Sequence, residues 1–162
     1  MNIKVGEEIL FSGVIYTARD QAHKRLVELI KAGKKLPIDL KGAVIYYCGP
    51  TATPKGKVIG ACGPTTASRM DEFIAPLLKV GVVAMIGKGR RSAAARAAIK
   101  KYKAVYFLAP AGCGALIARY VLKNELVAFA DLGPEAIRRL TVKDLPLIVG
   151  IDSQGKSIYQ DL

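Results

Sequence analysis

Apolar positions along the chain switch between two periods, and the switches mark out elements. Residues 9–17 are rich in β-branched and aromatic side chains around Gly13 and read as a strand. Ala22, Leu26, Leu29 and Ile30 then recur at helical spacing, and Gly33 supplies a stop. Residues 43–48 form a second apolar strand, followed by a loop at 49–56 that holds two glycines and two prolines. A short strand is expected at 58–62, ended by Gly63-Pro64. Met70, Phe73, Ile74, Leu77 and Leu78 mark the next helix, with Pro76 as a kink. Strands at 82–86 and 105–108 flank an alanine-rich helix at 92–101. A helix at 112–123 and strands at 126–130, 140–142 and 147–151 complete the pattern, and a turn at 152–155 leads into 157–159. Repeated strand–helix alternation predicts a mixed α/β fold. With no internal repeat or linker, residues 1–162 read as one domain.

Composition agrees with a packed core. The 162 residues are 51% hydrophobic and 23% charged, which argues against disorder. Trp is absent, so aliphatic side chains carry most of the packing. Charge adds something the pattern does not. Lys and Arg number 25 against 13 acidic residues, a net charge of +12. Nucleic acid, an anionic substrate or an acidic protein surface would each account for this. Lys4, Glu7 and Glu8 near the start do not suit a secretory signal. The longest uncharged run, 104–118, is broken by Pro110, Gly112 and Gly114 and falls short of the about 20 residues a membrane span needs. A soluble, cytoplasmic protein is expected. Cys48, Cys62 and Cys113 are an odd set without a CxxC pair, which fits neither a disulfide framework nor a zinc site.

Three junctions collect candidate chemistry. Arg19 and His23 lie four apart in Thr17-Ala18-Arg19-Asp20-Gln21-Ala22-His23, where a strand passes into a helix. A helix start offers unpaired N–H groups, so Arg19 there suits a carboxylate or phosphate. His23 is the one histidine, and an ordinary imidazole suits proton transfer near neutral pH. The plainer reading pairs Arg19 with a nearby acid and packs His23 in the core. Thr65 and Arg69 are also four apart, in Cys62-Gly63-Pro64-Thr65-Thr66-Ala67-Ser68-Arg69-Met70-Asp71. A hydroxyl and a guanidinium from one helical turn is one reading; a capping threonine and a solvated arginine is the other. Lys88, in Gly87-Lys88-Gly89, follows an apolar strand, at the end where parallel α/β sheets bind ligands, or lies in a surface turn. Lys88, Arg90, Arg91, Arg96, Lys100, Lys101 and Lys103 crowd one segment and read as a solvated face or a contact to an acidic subunit. No RNP-like aromatic motif accompanies them.

Several words of the sequence resemble the C-terminal domain of class I fumarases and the β subunit of L-tartrate dehydratase. They are Phe11-Ser12-Gly13, Ala18-Arg19-Asp20-x-Ala22-His23-Lys24, Tyr47-x-Gly49-Pro50-Thr51, Gly63-Pro64-Thr65-Thr66-x-x-Arg69-Met70-Asp71 and Gly87-Lys88-Gly89. The segment Asp131-Leu132-Gly133-Pro134-Glu135 resembles the family's Glu-Leu-Gly word with Asp131 in place of the Glu, and Asp144-Leu145-Pro146 and Asp152-x-x-Gly155 also fit. The likeness runs from about Val5 to Tyr159.

The resemblance implies a swivelling β/β/α domain with a mixed sheet and flanking helices. It implies a larger α subunit carrying a [4Fe–4S] cluster whose open iron takes the substrate hydroxyl as a Lewis acid, an active site formed between the two chains, and an α2β2 assembly. No metal ligand is expected in this chain, and neither nucleic acid nor membrane is an expected partner. The reaction implied is reversible hydration of a small dicarboxylate, fumarate/(S)-malate first and L-tartrate to oxaloacetate next. By the same resemblance Arg19, Arg69 and Lys88 hold carboxylates, Thr65 acts at the carbon being deprotonated, and His23 is either a second acid/base or an orienting group. The reading from another class is a stand-alone basic module that binds RNA or small dicarboxylates without catalysis.

Overall fold

A computed structural model describes residues 3–159. Its frame is one six-stranded mixed sheet. β1 (Glu8–Thr17) leads into helix α1 (Asp20–Lys31), and β2 (Val44–Tyr46) follows. A long irregular connection ends in a 3-10 turn at Ala67–Met70, then come α2 (Ile74–Lys79), β3 (Ala84–Gly87), α3 (Ala93–Tyr102) and β4 (Val105–Leu108). Helix α4 (Gly114–Ile117), β5 (Val121–Ala128), a 3-10 segment at Ala130–Glu135 and β6 (Ile137–Ile151) complete the order.

The strands lie in the order β1-β2-β3-β4-β6-β5, and β1 also pairs with β6. That last pairing closes five strands into a barrel and leaves β5 outside, on β6 alone. β1 to β4 run parallel to their neighbours; β6 is antiparallel to β1, β4 and β5. This is the mixed-sheet α/β fold with flanking helices that the sequence led us to expect.

Strand periodicity explains why the barrel forms. Val44, Tyr46, Ala84, Ile86, Val105 and Phe107 point inward and pack with Ile15, Leu140 and Val149. Ile45, Tyr47, Met85 and Tyr106 point outward and meet Leu26 of α1, Ile74 and Leu77 of α2, and Ile99 of α3. The parallel strands are therefore buried on both faces, as their unbroken apolar runs required. Among the described residues, no helix is long and apolar enough to cross a membrane.

Four expectations shift. Residues 58–62 form no strand: Ala61 binds the Thr51 hydroxyl at 2.9 Å and Cys62 N binds the Gly114 carbonyl at 3.1 Å, so their backbone pairs with loops. The helix expected at 112–123 is one α turn, α4, continued by a 3-10 turn at Ala118–Tyr120, because Val121 is captured opposite Val142 and begins β5. The helix around Pro76 is split into the 3-10 turn and α2. The strands at 140–142 and 147–151 are one strand, which bends at Asp144 with φ of 52°.

Arg91 departs most from its surface reading. Its side chain is fully buried. Nε donates to Asp71 at 2.5 Å, Nη1 donates to the Tyr47 hydroxyl at 3.3 Å, and the guanidinium lies 5.3 Å and 4.9 Å from the Tyr47 and Tyr106 ring centres. Asp71 also accepts the Ser92 amide at 2.7 Å, at the start of α3, and the Ser92 hydroxyl accepts from Ala95. Removing one member of such a buried pair leaves an uncompensated charge. Arg91→Met should destabilise the fold by about 3–5 kcal/mol, read from urea unfolding; an unchanged midpoint would show that Asp71 finds another partner.

Candidate active site

The C-terminal ends of β1, β2 and β3 lie side by side on one rim of the barrel, because the three strands are parallel neighbours. β1 ends at Thr17, whose buried hydroxyl donates to the Ala136 carbonyl at 3.3 Å and accepts the Arg138 amide at 3.0 Å. Ala18 N reaches the Tyr46 carbonyl at 3.0 Å. These bonds fix Arg19 as the N-cap residue of α1, with extended backbone and no side-chain cap.

The Arg19 side chain crosses Gly49. A Cβ at position 49 would lie 2.9 Å from both Cδ and Nη1 of Arg19 and 3.2 Å from the Pro134 carbonyl. Arg19 Nε is buried without a hydrogen bond among the described residues; its nearest carboxylates are Glu135 at 3.5 Å and Asp20 at 3.7 Å. Asp20 takes a second arginine more tightly. Arg69 Nε and Nη2 donate to its two oxygens at 3.0 and 2.6 Å. The Asp20 carboxyl is held below its ordinary range: burial pushes it up, but its own helix-start amide and the Arg69 and Arg19 charges outweigh that.

Thr65 is clamped by its backbone. Its amide donates to the Tyr47 carbonyl at 2.6 Å, and its carbonyl accepts from Lys88 N at 3.2 Å. Ala67 N then binds the Lys88 carbonyl at 2.9 Å, and Thr66 and Lys88 form a parallel bridge. The segment 65–67 thus docks where β2 and β3 end. Gly87 permits it, since a Cβ there would meet the Tyr47 ring at 2.8 Å and the Ala67 side chain at 3.2 Å. Thr65 precedes the 3-10 turn, so it and Arg69 do not share the α-helical turn expected; Thr66 is the N-cap residue, without a side-chain cap bond. Among the described residues, neither the Thr65 hydroxyl nor the Lys88 ammonium has a hydrogen bond or ion pair.

His23 faces the other way. It is fully buried, edge-on to Tyr47 at 5.3 Å and tilted against Phe73 at 6.1 Å. Its Nδ1 lies 2.8 Å from the Arg19 carbonyl. A carbonyl only accepts, so Nδ1 carries the proton and Nε2 is a lone pair without a partner among the described residues.

The rim therefore brings together Arg19, Thr65, Arg69 and Lys88, and places His23 behind Arg19. Two of the three rim cations, Arg19 and Arg69, meet the carboxylates Asp20 and Glu135, and Lys88 has no ion pair among the described residues. The plainer reading of the chain, in which Arg19 pairs with a nearby acid and His23 packs in the core, holds here, but it named neither Asp20 nor Glu135 and did not foresee that Asp20 also binds Arg69. Asp20 had a signal, since it sits next to Arg19 at the helix start. Glu135 had none, because only barrel closure carries it there.

Cys48 and Cys62 are buried, and Cys113 is half-buried rather than fully buried. Burial pushes the Cys48 thiol far up and the Cys62 thiol up to about 11. Among the described residues, no group of three or more His, Cys, Asp or Glu is placed to hold a metal.

Comparison with known proteins bears on this geometry. The family model described as the fumarase C-terminus matches residues 1–162. A Methanocaldococcus jannaschii protein named "Putative L(+)-tartrate dehydratase subunit beta" is 40% identical, over 99% of this chain and 85% of its own length. The L(+)-tartrate dehydratase subunit beta of Escherichia coli is 36% identical, over 99% of this chain and 81% of its own. The anaerobic class I fumarate hydratase of Escherichia coli is 39% identical over 98% of this chain, which spans 29% of that longer protein.

His23 gives a pH test. Burial, the largest cause, and the Arg91 charge hold its imidazole down to about 4, against the bond to the Arg19 carbonyl. Above pH 6.5 the ring is neutral folded or unfolded, so its full contribution is present. As pH falls toward 4 the unfolded chain binds a proton that the folded chain refuses, and stability is lost. Unfolding free energy should drop by about 2 kcal/mol between pH 7 and 5. In His23→Gln that part of the slope should vanish; an unchanged slope would place the titration elsewhere.

Proposed function

Since the chain belongs to the fumarase C-terminus family, we propose that it is the β subunit of a two-subunit iron–sulfur hydro-lyase. The substrate is a small dicarboxylate, fumarate/(S)-malate first and L-tartrate second. The partner is a larger α subunit in a cytoplasmic α2β2 assembly. The [4Fe–4S] cluster is assigned to that subunit; in support, no group of three or more His, Cys, Asp or Glu among the described residues of this chain is placed to hold a metal.

The observation that carries this reading is the rim: Arg19, Thr65, Arg69 and Lys88 converge at the ends of parallel strands, with positive charge in excess. Dehydration takes a weakly acidic proton from the carbon beside a carboxylate, and negative charge grows on that carboxylate as the C–H bond breaks. Guanidinium and ammonium groups placed beforehand stabilise that charge more than the ground state. Arg19, Arg69 and Lys88 take this role. The Thr65 hydroxyl stands at the carbon that loses its proton, activated by a carboxylate of the α subunit. His23 is an orienting group: its ring is fully buried against Tyr47 and Phe73, and its Nδ1–H fixes the carbonyl of Arg19. The RNA-binding reading loses Arg91 from its patch, since that side chain belongs to the core.

Steady-state kinetics of the reconstituted complex, on fumarate, malate and both tartrate enantiomers, test the assignment. Thr65→Ala should lower kcat on the order of 10²–10⁴-fold with assembly intact; near-normal turnover would remove Thr65 from the chemistry. Arg69→Lys should lower kcat/KM on the order of 10²-fold, since an ammonium cannot make a two-pronged carboxylate bond. Activity of the isolated chain would refute the shared site.

A further inference from the structure

Among the described residues, Asp20 is the one carboxylate within 4 Å of both rim arginines. Its grip on Arg69 is side-on: Nε and Nη2 are engaged, at 3.0 and 2.6 Å. A guanidinium has a second donor edge, formed by Nη1 and Nη2 at its end. Among the described residues, no hydrogen bond to Arg69 Nη1 is present, and the side chain is 49% exposed. The same Asp20 oxygen that binds Arg69 Nη2 lies 3.7 Å from Arg19 Nε. Asp20 itself is fixed, because it is the first residue of α1 and its acidic side chain suits the helix start.

We propose that Asp20 is a positioning residue, which clamps Arg69 side-on so that its end-on edge is presented to a substrate carboxylate. This rests on the hydro-lyase reading for the identity of the substrate, but not for the geometry. A free arginine side chain populates many rotamers, and binding a carboxylate would have to immobilise it. Asp20 does so in advance. It also explains how two arginines stand close together without repulsion: one shared carboxylate lies between them.

The pair is partly solvent-exposed, so it should contribute little to folding. That separates a positioning role from a structural one. In the assembled complex, Asp20→Asn keeps the shape and removes the charge. KM should rise about tenfold or more while kcat changes less than about threefold. Calorimetric Kd for succinate, which cannot react, should weaken by the same factor. Asp20→Glu, which keeps the charge, should recover part of the loss. In an Arg69→Lys background, Asp20→Asn should change KM less than about twofold, because the clamp has nothing left to orient.

Four results would overturn the proposal. An unchanged succinate Kd would mean that Asp20 orients nothing. A tighter Kd would make Asp20 a competitor of the substrate. Failure of Asp20→Asn to assemble, or full additivity with Arg69→Lys, would make it structural. Succinate binding that depends on Asp20 in this way, in a complex whose unmutated form turns over none of the candidate substrates, would sink the hydro-lyase reading and leave the clamp standing.

Discussion

Ile137–Ile151 pairs with three strands, antiparallel to β5, β1 and β4. Without it, β1 to β4 would be an open parallel ribbon with two bare edges. With it they form a ring, and their C-terminal ends share one rim. The strand can serve three neighbours because it bends. Asp144 adopts a positive φ in a bulge where two residues of β6, Lys143 and Asp144, stand opposite Ser12 of β1, and the strands are tied there: the Ser12 hydroxyl accepts the Asp144 amide at 2.8 Å. β6 also begins just after Pro134 and Glu135, so ring closure is what delivers a second carboxylate to Arg19.

Two kinds of arginine result. Arg91 is enclosed by Asp71, Tyr47 and Tyr106, and its charge is matched inside the protein. It holds the end of the segment that carries Thr65 and Arg69 against the start of α3. Arg19 and Arg69 are matched only in part, by carboxylates that touch one side of each. Charge left over at a rim with fixed geometry can recognise an anion; charge matched in a core can only hold a fold together. Sequence alone does not separate the two, since both are arginines near apolar strands.

The strands and helices with strong periodicity were legible. β1, α1, α3 and β4 lie within a residue or so of the apolar pattern, because each faces one continuous core. Residues 58–62 and 112–123 were not. Both have local propensity for one structure, and both are decided by contacts made far along the chain. Of the site, the helix-start position of Arg19 was visible in the spacing. The docking of Thr65 between β2 and β3 was not, because backbone bonds to Tyr47 and Lys88 leave no mark on side-chain pattern. His23 shows the limit most clearly: one histidine beside an arginine has the same spelling whether its ring meets substrate or Tyr47.

Gly49 has an ordinary negative φ or extended backbone rather than a left-handed one, so the turn itself does not require glycine. What requires it is the arginine lying across it. The two positions are therefore coupled through space, thirty residues apart by number. During divergence, a side chain at 49 becomes permissible only where position 19 has shortened, and the pair should drift together or stay fixed together. A glycine that looks like a loop residue is thus part of the shape of the rim around Arg19.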